Sequence, residues 1–167
     1  MVEIVLGNVF AFLAAGADAV SGTRKNPKAV LGVQILSNIF YAAASFVLKG
    51  YSAVVQNAVG IMRNILAMSG KKIKALEWTL TIAAVALGLY FNNRAFIGLL
   101  PVISNFGYTV CVFKFNNEGN KLKIAFSINM VIFTIFNLFI LNFVGAITNF
   151  AVAVVTAVAV IKDYKDL

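Results

Sequence analysis

Along the chain, long apolar runs alternate with short polar breaks, and the runs are too long for strands. They cover residues 2–20, 29–48, 51–68, 75–91, 95–113, 122–141 and 143–161. A helix needs about 20 residues to cross ~30 Å of hydrocarbon, so each run has the length of a membrane span. The breaks between them are brief: Lys49-Gly50 and Asn92-Asn93-Arg94 are the shortest that carry charge, and only Asn142 divides the last two runs. An apolar stretch of about 40 residues is too long for one crossing, so a turn is expected there. The pattern predicts seven helices.

Composition agrees with that reading. Of 167 residues, 61% are hydrophobic and 12% charged, whereas a soluble domain has about half and about a quarter. The chain is expected to be an all-α integral membrane protein. It has no His, one Cys (Cys111) and six acids. His-ligated zinc, His general bases and an intramolecular disulfide are thereby excluded, and neither an enzyme, a metal site nor a cofactor is expected. The N-terminus lacks a basic n-region and a small-residue cleavage site, so the first run reads as a retained span.

The net charge of +8 is distributed as a topology signal. Arg24, Lys25, Lys28, Lys71, Lys72, Lys74, Lys114, Lys121, Lys123, Lys162 and Lys165 fall in alternate breaks and the tail, against Lys49 and Arg94 in the others. Basic residues mark the cytoplasmic side. The N-terminus is expected outside and the C-terminus inside the bacterial cytoplasmic membrane, with no nucleic-acid partner.

Shifting the chain by 92 residues lays the second and third runs over the sixth and seventh. Ser37 then falls on Asn129, Ser45 on Asn137, Gln56 on Thr148, Asn57 on Asn149 and Asn64 on Thr156, and the turn at Gly50-Tyr51 meets Asn142-Phe143. With the first run paired to the fifth, the chain reads as one membrane domain in three parts. Residues 1–70 and 94–167 are parallel three-helix repeats, and 71–93 is a linker helix. The layout resembles the two three-helix bundles and single linker of SWEET and PQ-loop transporters. With Leu99-Leu100-Pro101-Val102-Ile103 in the fifth run and Arg63-Asn64 in the third, the chain more specifically resembles the bacterial inner-membrane YgjV-type family. Val102 stands where a PQ motif has Gln.

Polar residues inside the apolar runs are the candidate chemistry. Ala53, Gln56, Asn57, Gly60, Arg63, Asn64 and Ala67 share one helix face by their spacing of three, four and seven. They read either as a pocket lining or as packing amides. The SWEET resemblance implies that Asn57 and Asn149, on the third helix of each repeat, face a solute, with Gln56 and Thr148 beside them. Tyr41 and Phe133 are expected as walls. Arg63 is the one charge deep within a run, so it needs a partner or a wet cavity. An ion pair or gate with Asp18, supported by Asn64, is weighed against binding of an anionic solute group. Pro101 removes a helical hydrogen bond and is a candidate hinge.

These features point to a facilitator or secondary carrier for a small polar solute, such as a sugar, a vitamin or another metabolite, working by alternating access. Two alternatives stand beside it. One is a vitamin- or nucleoside-binding membrane subunit or PnuC-like channel; the other is a non-transporting sensor or assembly protein. A monomer and a homo-oligomer are both compatible with the sequence.

Overall fold

The computed structural model describes residues 1–22, 27–70, 73–115 and 119–165, leaving Arg24, Lys25, Lys71 and Lys72 outside the described residues. The described chain is helical almost throughout. The elements are α1 (Val2–Gly22), α2 (Pro27–Val47), α3 (Tyr51–Ser69), α4 (Lys74–Tyr90), α5 (Ala95–Phe115), α6 (Gly119–Phe139) and α7 (Phe143–Lys165). Each matches an apolar run of the sequence to within a few residues. Pro27 opens α2, a position where the missing N–H costs nothing and the fixed φ suits a helix. Within α5 the helix runs on through Pro101. The turn expected near Asn142 is present, with Leu141 in left-handed backbone geometry.

Six helices close a ring. α1 packs on α2, α2 on α3, α3 on α5, α5 on α6, α6 on α7, and α7 returns to α1; α4 packs against α3 and α5. Within each triplet the middle helix lies between the other two, so α1–α2–α3 and α5–α6–α7 form two arcs rather than two mutually packed trios. The α2–α3, α4–α5 and α6–α7 turns gather with Met1 at one end, here called the amino-terminal end.

Two of those turns have the same hydrogen bonds at an offset of 92 residues. The Gly50 N–H donates to the Ser45 carbonyl (2.8 Å) and Lys49 N–H to Phe46 (3.0 Å); the Asn142 N–H donates to Asn137 (2.9 Å) and Leu141 N–H to Leu138 (3.3 Å). This is the Schellman closure of a helix C-terminus. Its left-handed position is held by Lys49 in one turn and Leu141 in the other, both non-glycine. Beyond the closure, Gly50 lies against the Phe136 ring, where an added Cβ would stand 3.1 Å from it. Its counterpart Asn142 instead caps α7, its side-chain oxygen accepting the Gly145 N–H at 3.0 Å.

Burial is inverted relative to a water-soluble protein. Phe12, Phe96, Ile147 and Val155 are 69%, 85%, 70% and 68% exposed, while Gln56, Asn64, Thr109 and Asn142 are almost fully buried. An apolar exterior around a polar interior is the arrangement that lipid favours. Among the described residues, three helical segments, Ala95–Phe115, Asn120–Phe139 and Phe143–Asp163, are long and apolar enough to cross a membrane, and Leu31–Val47 is a shorter apolar helix.

Candidate functional site

Between the helices of the ring lies a cavity of about 50 Å³ lined mainly by polar residues. A buried water needs on the order of 10–15 Å³ by this measure, so the space takes a few waters or a compact solute. Its lining follows the 92-residue offset. Ser37 and Asn129, Ser45 and Asn137, and Asn57 and Asn149 all face it in pairs. So do Gln34 and Phe126, Asn38 and Met130, and Tyr41 and Phe133. The remaining lining residues, Asp18, Gln56, Arg63, Asn105 and Tyr108, have no such partner at that offset. The two arcs thus line the cavity from corresponding positions with different chemistry: where α2 presents Gln34, Asn38 and Tyr41, α6 presents Phe126, Met130 and Phe133.

Arg63 is 3% exposed, and its neighbours are neutral. Its Nε donates to the Asn64 Oδ1 at 3.1 Å, and its Nη1 donates to Asn105 Oδ1 at 2.9 Å and to Thr109 Oγ1 at 3.4 Å. The guanidinium also stacks over the Tyr108 ring, 4.6 Å from its centroid, a favourable placement for a desolvated cation. The ion pair expected with Asp18 does not form. α2 separates α1 from α3, and the Arg63 side chain turns instead toward α5. Placing a charge here costs at least about 2.5 kcal/mol on insertion scales, and the amide and hydroxyl acceptors offset part of that.

Asn105 organises this wall. Its Nδ2 donates to the Gln56 carbonyl at 3.1 Å and to Gln56 Oε1 at 2.9 Å, while Gln56 Nε2 donates to the Ala84 carbonyl of α4 at 2.8 Å. Gly88 makes room for this contact: a Cβ there would overlap Gln56 Nε2 and stand 2.7 Å from Val102. Asn64 reaches the other way, its Nδ2 donating to Gln34 Oε1 at 3.4 Å. One amide chain therefore ties α2, α3, α4 and α5 around the arginine. The sequence reading missed Asn105, Tyr108 and Thr109. Their signal is present in α5, where Ser104-Asn105 and Tyr108-Thr109 recur on one face at helical spacing.

Across the cavity the Tyr41 hydroxyl donates to Asn149 Oδ1 at 3.1 Å, joining α2 to α7. The Asp18 carboxylate lies in interaction range of the Ser37 and Tyr41 hydroxyls. Asn57 faces the cavity but donates from Nδ2 to the Ala53 carbonyl of its own helix at 2.9 Å. Thr148 is not on the lining; its hydroxyl bonds the Val144 carbonyl at 2.8 Å. Asn64 stands behind the lining as the link between Gln34 and Arg63, and Pro101 is buried in α5 away from it. Between α5 and α6, Asn129 Nδ2 donates to Ser104 Oγ at 2.8 Å.

The amino-terminal end of the ring is shut. Leu48, Ala53, Phe136 and Ile140 form a buried apolar cluster there, with Ile4, Ile97, Leu100 and Phe133 packed on it. Side chains clamp the adjoining turns at both seams between the arcs. Arg94 Nη2 donates to the Leu48 carbonyl at 3.0 Å and Asn93 Nδ2 to the Lys49 carbonyl at 2.7 Å. At the other seam Asn8 Nδ2 donates to the Leu141 carbonyl at 3.2 Å, and its Oδ1 accepts the Val144 N–H at 2.8 Å.

The family model of a bacterial inner membrane protein, Imp-YgjV, matches residues 5–166. The chain belongs to the YgjV family. The match spans all seven helices, so the polar cavity and its clamped end lie within the family's own extent. The family description and the apolar helices together place the protein in the bacterial inner membrane. No curated protein and no solved structure matches the chain.

Proposed function

We propose that the protein is a carrier for a small polar solute, moving it by alternating access between two three-helix arcs. The observation that supports this most is the cavity lined from both arcs at matched positions and closed by apolar packing at the amino-terminal end of the ring. A carrier needs a site between two repeats that open alternately to either side. The repeated Lys49 and Leu141 turns, and the seams clamped by Arg94 and Asn8, are where rocking would begin.

In this reading all seven helices cross the membrane. The amino-terminal end faces the periplasm and the opposite end of the ring the cytoplasm, as the basic residues of the sequence indicate. α4 is the linker that keeps the repeats parallel, giving the 3+1+3 layout of SWEET-like transporters, although each repeat is an arc. Asn149, Asn57 and Tyr41 contact the solute, Gln56 shapes that wall, and Phe133 borders it. Arg63 and Asp18 act from separate walls rather than as an ion-paired gate, and Pro101 supplies flexibility in α5. A cavity of about 50 Å³ favours a compact solute over a vitamin or nucleoside in this conformation.

The test is flux by purified protein in liposomes. Uptake of labelled compact polar solutes that saturates, and that falls in Asn149→Ala, is the expected result. No protein-dependent flux across such a panel, with the fold intact, would leave the sensor or assembly reading in its place.

A further inference from the structure

The lining carries two ionisable side chains of opposite sign, Arg63 on α3 and Asp18 on α1, and they do not pair with each other. Every hydrogen-bond acceptor around Arg63 is neutral. Its Nε and Nη1 are engaged by Asn64, Asn105 and Thr109, no hydrogen bond among the described residues engages Nη2, and Arg63 lines the cavity. A guanidinium with Nε and Nη1 engaged by neutral acceptors keeps its Nη2 N–H groups as charge-assisted donors, which a carboxylate accepts. On the α1–α2 wall, Asp18 faces the same space beside two hydroxyls. A carboxylate so placed accepts hydrogen bonds from an ammonium group. The α6 wall adds the apolar side chains Phe126, Met130 and Phe133 beside Asn129 and Asn137.

We propose that the solute is a compact zwitterion, a small amino acid in chemical class. Its carboxylate would sit at Arg63, its ammonium at Asp18, and its hydrocarbon part against Phe126, Met130 and Phe133. The proposal rests on the cavity being the solute site of the carrier described above. It explains why two opposite charges are kept in one low-dielectric chamber without being joined. A zwitterion neutralises both at once, whereas an anion leaves Asp18 facing added negative charge and a cation leaves Arg63 uncompensated. A neutral sugar would engage neither charge as a charge. The cavity volume of about 50 Å³ limits the hydrocarbon part to a short side chain.

The test is titration calorimetry on the full-length protein in detergent with glycine, L-alanine and L-serine. Lactate and L-alaninamide serve as analogues that each lack one charge. At least one zwitterion is expected to bind, with the matching single-charge analogues at least tenfold weaker. This comparison needs no variant. Arg63→Gln should weaken zwitterion binding at least tenfold, and Asp18→Asn should abolish the preference for L-alanine over lactate. Equal binding of lactate and L-alanine, equal binding of L-alaninamide, or no binding of any zwitterion would overturn the proposal. Flux separates it from the carrier reading. Zwitterion binding with this selectivity but without transport sinks the carrier and leaves the ligand class standing. Transport of a neutral polyol such as xylitol, without zwitterion binding, does the reverse.

Discussion

Lys49 and Leu141, 92 residues apart, hold the same left-handed backbone conformation, with φ of 58° and 62°. Each ends one helix and turns the chain into the next at the amino-terminal end. For a residue with a Cβ this conformation costs roughly 1–2 kcal/mol. The cost recurs at matched places in the two arcs, which makes it a property of the repeated turn rather than a local accident.

Glycine should relieve that cost. Leu141→Gly is expected to raise stability by about 0.5–1 kcal/mol, since Leu141 is 45% exposed and little packing is lost. A denaturation midpoint measured in detergent checks this. A fall of similar size would mean that the Leu141 side chain contributes more through packing than its backbone costs.

Arg63 and Asn105 should be coupled, and Arg63 and Asp18 should not. The first pair share a 2.9 Å hydrogen bond inside the protein, so a double-mutant cycle with Arg63→Gln and Asn105→Ala is expected to give about 1–3 kcal/mol of interaction. The cycle of Arg63→Gln with Asp18→Asn should be additive within about 0.5 kcal/mol in the solute-free protein. Strong coupling in the second cycle would restore the ion-paired gate.

Removing the Tyr41 hydroxyl tests the α2–α7 contact. Tyr41→Phe leaves the ring in place and deletes one hydrogen bond to Asn149, so stability should fall by only about 0.5–1.5 kcal/mol. Solute affinity should change more than stability does, because Asn149 and Asp18 both face the cavity beside this hydroxyl. Comparing the melting shift with the change in Kd separates the two effects.

Filling the space at Gly88 should disturb the arginine wall from outside the ring. Gly88→Ala places a Cβ against Val102 and Gln56, and overpacking of this kind costs typically about 1–3 kcal/mol. Gln56 holds Asn105, which holds Arg63, so ligand affinity should fall as well. An unchanged affinity in a destabilised variant would show that α4 contributes only packing.

Orientation is open to direct measurement. A reporter active only in the cytoplasm, fused after Leu167, is expected to be active, and a periplasmic reporter at the same place silent. The opposite outcome would reverse the reading of the basic residues along the sequence.

How much of this was legible in the chain depends on the range of the interaction concerned. Helix number, helix limits and the inverted polarity follow from local rules. Runs of about 20 apolar residues satisfy their backbone only as helices in lipid, and the turn at Asn142 follows from the length of the run it divides. Ser37, Ser45 and Asn57 and, 92 residues on, Asn129, Asn137 and Asn149 stand out in the sequence as polar positions in an otherwise apolar background, and all six face the cavity. Which polar residues meet could not be read in this way. Periodicity places Arg63 on a face of α3 but says nothing of the helix opposite that face. Asp18 was a reasonable partner by charge and depth. The order of helices around the ring, with α2 between α1 and α3 and α5 beside α3, gave that place to Asn105 and Thr109. In a bundle of similar apolar helices the neighbour relations are set by summed side-chain packing across every seam. That sum is a property of the assembled ring, so only the tertiary structure decides which charges stand apart and which amides join.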